Sequence, residues 1–559
     1  MIKIEDLCFT YPGAKEATLN KVNMEIEKGD FVALIGNNGC GKSTLCKVLN
    51  GLIPNFISGD FQGKVTINGV DISNVEIGEL SKTVGYVYQD FENQIVCPTV
   101  LEDASYACMN YGMQDYLERG KAALKACGLE DKEQEYVWQL SGGQTHLLAL
   151  AGCLSLEPEI LILDEPIAQL DPHHADLIYD VLKNLNENYG KTIIVIEHHT
   201  EYIAKYCKKV ALLKKGMVQW MHETEYALSQ VEELQESNIY PPQITQVAYR
   251  LRTMEKVADR VLLPSTVEKA KEILNTLFFC GKKEQSKKPE KKEAIIQFEN
   301  VEVAYRTMNN DKKHLYEGLN LTIAKGEKIA LVGSNGAGKS SMMKLMIGLR
   351  KPDSGKVIVN GVCTQTVKPE QLAHTISMVY QNPEEMFIRD SIESDIAYAM
   401  QVRDMENYKE RTAKLMERFE LTELKERDGR MLSGGQMRRA SLAIGVALNP
   451  EILLLDEPTA NLDIATRKEV MRTLNDLEGI TETVIIATHD MQLVAEWADR
   501  VIVLWNGCVI ADGNRDEIFT NSEVIEKVGI RPPEIFTLAK TLNNDAFCYS
   551  VEEFLESFA

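Results

Sequence analysis

Two glycine-rich segments with identical spacing constrain this 559-residue chain more than any other feature. The first is Gly36-Asn37-Asn38-Gly39-Cys40-Gly41-Lys42-Ser43-Thr44 and the second is Gly333-Ser334-Asn335-Gly336-Ala337-Gly338-Lys339-Ser340-Ser341. Each follows a short apolar run (Phe31 to Ile35; Lys328 to Val332) and leads into a helix-like stretch, so each predicts a strand, a phosphate-holding loop and a helix. Glycines let the backbone turn its N–H groups inward into a nest for phosphate oxygens. The following helix N-terminus adds unpaired donors and the positive end of its dipole. Lys42 and Lys339 can reach β- and γ-phosphates, and Ser43 and Ser340 can ligate Mg²⁺. An idle glycine-rich turn explains one such match; two in one chain point to two nucleotide sites.

The chain is one module written twice. Gln89 and Gln381, Ser141 and Ser433, and Glu165 and Glu457 each lie 292 residues apart. His198 and His489 are 291 apart, as are Pro241 and Pro532, whereas Lys42 and Lys339 are offset by 297. Asn68-Gly69 and Asn360-Gly361 are back at 292, so the first half carries five extra residues within the stretch from Pro54 to Gly63. Between the halves, Lys282 to Glu293 contains no apolar residue and reads as a flexible linker, with contact to anionic lipid or nucleic acid as the alternative for its lysines. The organisation expected is a first cassette over residues 1–240, its C-terminal segment over 241–281, the linker over 282–293, a second cassette over 294–530 and a second C-terminal segment over 531–559. Ile160 to Leu163, Ile452 to Leu455, Thr192 to Ile196 and Thr483 to Ala487 are apolar runs suited to strands buried on both faces, hence a parallel α/β core in each half.

Bulk composition excludes several classes. With 44% hydrophobic and 26% charged residues the chain matches ordinary globular proteins, and no apolar run approaches the roughly 18 residues of a membrane span. The N-terminus lacks a signal-peptide core. A net charge of −22 argues against broad nucleic-acid binding. Twelve scattered cysteines with no C-x-x-C read as reduced thiols of a cytosolic protein. Cys40, inside the first loop, is a small filler or a redox-sensitive thiol.

Two further elements carry chemistry. Apolar strands end in Asp164-Glu165 and Asp456-Glu457; the Asp is placed to hold Mg²⁺, and the Glu to polarise an attacking water as general base. Upstream stand Leu140-Ser141-Gly142-Gly143-Gln144 and Leu432-Ser433-Gly434-Gly435-Gln436. With these pentapeptides both halves resemble the ATP-binding-cassette (ABC) ATPases almost end to end. The resemblance implies two P-loop domains in tandem, each with a RecA-like parallel-sheet core and a helical signature subdomain. It also implies that Ser141, Gly142, Gly143 and Gln144 serve ATP held by the opposite cassette, as do Ser433, Gly434, Gly435 and Gln436. Gln89 and Gln381 then look like Q-loop glutamines that sense nucleotide and join the Mg²⁺ set with Ser43, Asp164, Ser340 and Asp456. Asp171 and Asp463 look like D-loop aspartates, His198 and His489 like switch histidines on the γ-phosphate, and Tyr11 and Tyr305 like adenine-stacking aromatics.

The halves differ at two places. Thr145-His146-Leu147 stands where the second half has Met437-Arg438-Arg439, and Ile167 where it has Thr459. Since cassettes of this family pair head to tail, the less basic first signature faces the Lys339 site, which is therefore expected to hydrolyse ATP more slowly than the Lys42 site. Within the family, Phe9-Thr10-Tyr11-Pro12-Gly13, Asn50-Gly51-Leu52-Ile53-Pro54, Val84 to Gln89 with Asn93-Gln94, Glu197-His198, and the paired prolines Pro241-Pro242 and Pro532-Pro533 are similar to energy-coupling-factor (ECF) and cobalt-type importer ATPases. Val247-Ala248 and Leu538-Ala539 follow the prolines in matching phase. That resemblance implies a peripheral subunit on the cytoplasmic membrane face, docked on a membrane scaffold (T-type) subunit beside a substrate-binding membrane protein, with no nucleic-acid partner. Its rivals are a tandem ATPase of the translation-factor type acting on ribosomes, a tandem sugar-importer ATPase, and a nucleotide-gated scaffold with negligible hydrolysis, against which both Glu165 and Glu457 argue.

Overall fold

A computed structural model describes the chain apart from residues 169, 259–261, 276–278, 280–292, 307–311, 461, 463, 476, 478 and 559. The linker expected over 282–293 therefore lies almost wholly outside the described residues, as does Asp463. The chain divides into two compact units, Met1–Gly281 with Glu534–Ala559, and Lys282–Pro533.

In the first unit a six-stranded sheet runs in the order Met217–Glu223, Lys209–Lys214, Phe31–Ile35, Thr192–Ile196, Ile160–Asp164, Val84–Val87. Only the pairing of the first two strands is antiparallel. The continuous apolar runs are explained by the pleat, because successive side chains enter cores on opposite faces. Phe31, Ala33, Ile35, Leu161, Leu163, Ile193 and Val195 join one core with the helices Gly142–Leu154 and Pro172–Glu187. Val32, Leu34, Ile160, Ile162, Ile194 and Ile196 join the other, against helix Lys42–Leu49 and the four-stranded sheet built on Ile2–Thr10. Each such Val, Leu, Ile or Phe side chain contributes about 1.5–3 kcal/mol on leaving water. The second unit repeats the plan, with sheet order Ile376–Val379, Ile452–Asp456, Thr483–Ala487, Lys328–Gly333, Arg500–Trp505, Cys508–Gly513. In both, the strand leading to the glycine loop is central, so the C-terminal ends of three parallel strands bring the loop, the Asp-Glu pair and the histidine to one sheet edge, where open parallel sheets hold ligands.

The two proline-led segments share one small core in the first unit. Helices Gln243–Thr253 and Val267–Leu274 pack with Glu534–Leu542 and Val551–Glu556 through Ile244, Val247, Leu251, Leu274, Ile535, Leu538 and Phe554. Two bonds link the helix starts: Gln243 N–H donates to Glu534 Oε2 at 3.0 Å, and Ile535 N–H to Gln243 Oε1 at 3.2 Å. Val247, Ala248, Leu538 and Ala539 are all fully buried, in keeping with their matching phase. Among the described residues no helix is long and apolar enough to cross a membrane.

Candidate active site

The first glycine loop is shaped by backbone that only glycine tolerates. Gly41 adopts φ 107°, and a Cβ there would stand 2.9 Å from the Thr18 carbonyl oxygen. Gly338 repeats this with φ 109°. Lys42 is buried, and its Nζ donates to the carbonyls of Gly36 (2.7 Å) and Asn37 (3.1 Å). Lys339 does the same with Gly333 (2.7 Å) and Ser334 (3.3 Å). Each ammonium thus spans the mouth of its loop. Cys40 is buried, and burial pushes its thiol pKa up against the opposing pull of Lys42, which favours the filler role over a reactive thiolate.

Glu165 and Glu457 both sit in the left-handed region, φ 50° and 48°, a conformation non-glycine residues rarely take. The sheet fixes it: Glu165 N–H donates to Ile196 O at 3.1 Å and Glu457 N–H to Ala487 O at 2.9 Å, which turns each chain off its strand. In the first unit Glu165 Oε1 lies 3.0 Å from His198 Nε2, and Oε2 accepts from Gln89 Nε2 at 2.8 Å. In the second, Glu457 Oε2 lies 2.9 Å from His489 Nδ1, and Oε1 lies 4.0 Å from Lys339 Nζ. Burial works against the charge of both carboxylates, but the histidines and loop lysines more than offset it and hold both below the usual Glu value. Each is thereby kept in the basic form that water activation needs. Burial likewise opposes charge on His489, yet Glu457 holds its pKa above the ordinary histidine value.

Asp164 and Asp456 fit a Mg²⁺ ion. Burial raises both carboxyls, and each takes a hydrogen bond from the serine of its loop, Ser43 and Ser340. Asp456 Oδ1 is buried without a hydrogen-bond partner, and the surrounding donors are hard oxygens, the set Mg²⁺ prefers. Gln89 is turned to Glu165, while Gln381 holds its backbone oxygen toward Arg438. Tyr11 Oη is 3.3 Å from Thr44 Oγ1, and Tyr305 Oη is 2.9 Å from Ser341 Oγ, so both tyrosines stand beside their loops. The Arg350 guanidinium lies over the Tyr305 ring at 3.8 Å from its centroid.

Ser141 and Ser433 cap the helices Gly142–Leu154 and Gly434–Gly445, and Gln144 and Gln436 complete reciprocal capping boxes. Gln144 Oε1 accepts from Ser141 N–H at 2.9 Å, and Gln436 Oε1 from Ser433 N–H at 3.2 Å. Gly143 is sterically required, since a Cβ would fall 2.2 Å from the His174 ring. Asp171 is buried and caps helix Pro172–Glu187, accepting from His174 N–H at 3.0 Å.

Sequence reasoning missed how the two units brace these groups. Arg438 is buried and donates to the carbonyls of Tyr380 (3.1 Å) and Gln381 (2.8 Å), bracing the backbone that carries Gln381. Burial lowers its pKa to about 10, still cationic at neutral pH. Thr459 Oγ1 donates to Asp490 Oδ2 at 3.0 Å, and Arg467 Nε is 3.3 Å from the same oxygen. In the first unit His146 fills the Arg438 position: Nδ1 is 3.0 Å from Pro166 O, and the ring packs on Phe91 with centroids 3.4 Å apart. Burial pushes its pKa down to about 4, so it is neutral. The unfolded chain, titrating near 6.5, binds this proton first as pH falls, so stability is full above about pH 6.5 and is lost down to about pH 4, by an amount of order 3 kcal/mol. Acid titration of thermal unfolding is expected to show this loss, and His146→Leu to flatten it; an unchanged slope would contradict the buried neutral imidazole.

Fold and site define a tandem P-loop ATPase. The family described as "ABC transporter" matches residues 19–168 and 316–460. A relative from Methanosarcina acetivorans, provisionally named an ABC transporter ATP-binding protein, is 32% identical over 95% of this chain and 89% of its own length. A relative with the same provisional name from Caldanaerobacter subterraneus subsp. tengcongensis is 32% identical over 99% of this chain and 98% of its own. Among solved structures, cbiO1 from Clostridium perfringens, described as part of the ABC transporter complex cbiONQ, is similar at 30% identity, covering 45% of this chain and 98% of that one with a TM-score of 0.39. The chain belongs to the ABC transporter family, as a two-cassette ATPase that hydrolyses ATP.

Proposed function

We propose that the chain is the ATP-hydrolysing subunit of an ECF-type membrane importer for a vitamin, a vitamin precursor or a metal ion, working from the cytoplasmic membrane face. One observation carries the reading: two complete Asp-Glu-His sets, each beside an intact loop lysine, on a chain whose described helices include none able to span a bilayer. The work of two such ATPases is therefore delivered to a separate membrane scaffold and a substrate-binding membrane subunit. The sequence features shared with ECF and cobalt-type ATPases favour that scaffold over a ribosome, and the intact Lys339, Asp456 and Glu457 favour it over sugar importers, whose second site is typically degraded.

In this mechanism Lys42 and Lys339 leave their loop carbonyls for the β- and γ-phosphates, and Tyr11 and Tyr305 stack on adenine. Glu165 and Glu457 orient and deprotonate water, and His198 and His489 hold the γ-phosphate end. Ser43 and Asp164, or Ser340 and Asp456, would hold a Mg²⁺ ion, which would supply charge neutralisation on the phosphates. ATP closes the cassette pair by its higher affinity for the closed form; moving a 1:99 population to 99:1 takes about 5.5 kcal/mol, within reach of charge-assisted bonds from two loops and two signatures. Hydrolysis reopens it. Purified from membranes after expression with its neighbouring genes, the chain is expected to bring integral membrane proteins with it. Recovery with ribosomes instead would replace the importer reading by the translation-factor one.

A further inference from the structure

Glu197 sits where strand Thr192–Ile196 ends, only 2% exposed. Its Oε1 accepts from His198 N–H at 2.8 Å and from His199 N–H at 2.9 Å, and its Oε2 accepts from the Tyr179 hydroxyl at 2.8 Å. All three donors are neutral. Tyr179 is itself wholly buried, stacked on Tyr206 (centroids 4.9 Å), Tyr202 (5.1 Å) and Phe31 (6.4 Å). Burial and the nearby Glu197 push its phenol pKa well up, so it stays a donor. In the second unit the same position is Thr488, whose Oγ1 accepts from Asp490 N–H at 3.0 Å, and Asp490 is in turn held by Thr459 and Arg467. The first unit has none of these supports: Ile167 stands for Thr459, His199 for Asp490 and Ala175 for Arg467.

A buried carboxylate is costly unless hydrogen bonds compensate it, and here they run to the two peptide groups that aim the imidazole. We propose that Glu197 is a positioning residue of the first site: clamped by Tyr179, it fixes the backbone of His198 and His199 so that His198 Nε2 meets Glu165 Oε1 before the γ-phosphate arrives. This rests on the assignment of Glu165 and His198 as the hydrolytic pair. A fixed main chain removes reorganisation from the reacting step and touches no nucleotide atom, so it acts on turnover and not on affinity.

The test uses the full chain and measures steady-state ATP hydrolysis, binding of a fluorescent ATP analogue, and thermal unfolding. Glu197→Ala is expected to lower kcat about tenfold with nucleotide affinity within about twofold. Glu197→Gln keeps an acceptor for both N–H groups and is expected to recover most of kcat. Tyr179→Phe removes one hydroxyl and keeps the ring stack, and is expected to lower kcat about threefold. If Glu197→Ala unfolds early, the Gln and Phe variants decide: wild-type kcat in Tyr179→Phe overturns the proposal. So does a fall in affinity parallel to kcat, or a Gln variant as slow as the Ala variant. Glu165→Gln is the reference: if it hydrolyses ATP at the wild-type rate, the assignment of the pair fails and the proposal with it. If it is inactive while the Glu197 variants are not, only the clamp fails.

Discussion

Replacing Glu165 with Gln is expected to leave at most about a tenth of the chain's ATP turnover, because a general base contributes roughly 10²–10⁴ at its own site and the sequence asymmetry leads us to expect most of the flux here. Glu457→Gln is expected to leave more than about half, since its site is proposed to be the slower of the two. The unequal loss follows from unequal signatures. The second signature helix carries Arg438 and Arg439, while the first carries His146 and Leu147, and His146 is held neutral by burial. In the head-to-tail pairing that the family resemblance implies, the helix start beside neutral His146 is expected to serve the Lys339 phosphates and to be the poorer anion site. Phosphate release over time for the two single variants decides the matter; equal losses would remove the asymmetry, and no loss in either would remove both glutamates from the reaction.

Lys42→Ala and Lys339→Ala are expected to weaken ATP binding at the altered site by about tenfold to 100-fold, the value of a hydrogen bond to a charged partner being about 1.5–3 kcal/mol. The loop geometry adds to the effect. Each Nζ ties two loop carbonyls, so its loss frees the very turn that must present N–H groups to phosphate. Titration with a fluorescent ATP analogue measures this directly. Unchanged affinity in both variants would contradict the placement of nucleotide at these loops.

What could be read in advance was what local chemistry dictates. The loops and the Asp-Glu strand ends announce themselves because each stands directly where a buried strand ends, the capping serines because they open a family pentapeptide, and the buried strands because both faces of a parallel sheet demand apolar residues. The braces could not be read this way. Arg438 reaches carbonyls at residues 380 and 381, and Tyr179 reaches Glu197 across two elements; such pairings are decided by helix packing and leave no periodic trace in sequence. Glu197 did carry a signal, an acidic residue directly after four apolar ones, but by itself that pattern fits an exposed strand end equally well. The left-handed turn at Glu165 and Glu457 was also hidden, since nothing about glutamate favours it; the neighbouring strand imposes it through one backbone bond each.

The small core shared by the helices after Pro241 and after Pro533 has a consequence for biosynthesis. The nascent chain must carry the whole of Lys282–Pro533 out of the ribosome before Ile535, Leu538 and Phe554 can cover Ile244 and Leu251. Until then the first unit keeps an uncovered apolar face, and a truncation anywhere in the later segment leaves that face bare. A first half whose message is cut short is therefore expected to be less stable than the finished chain, which ties one engine to the completion of the other.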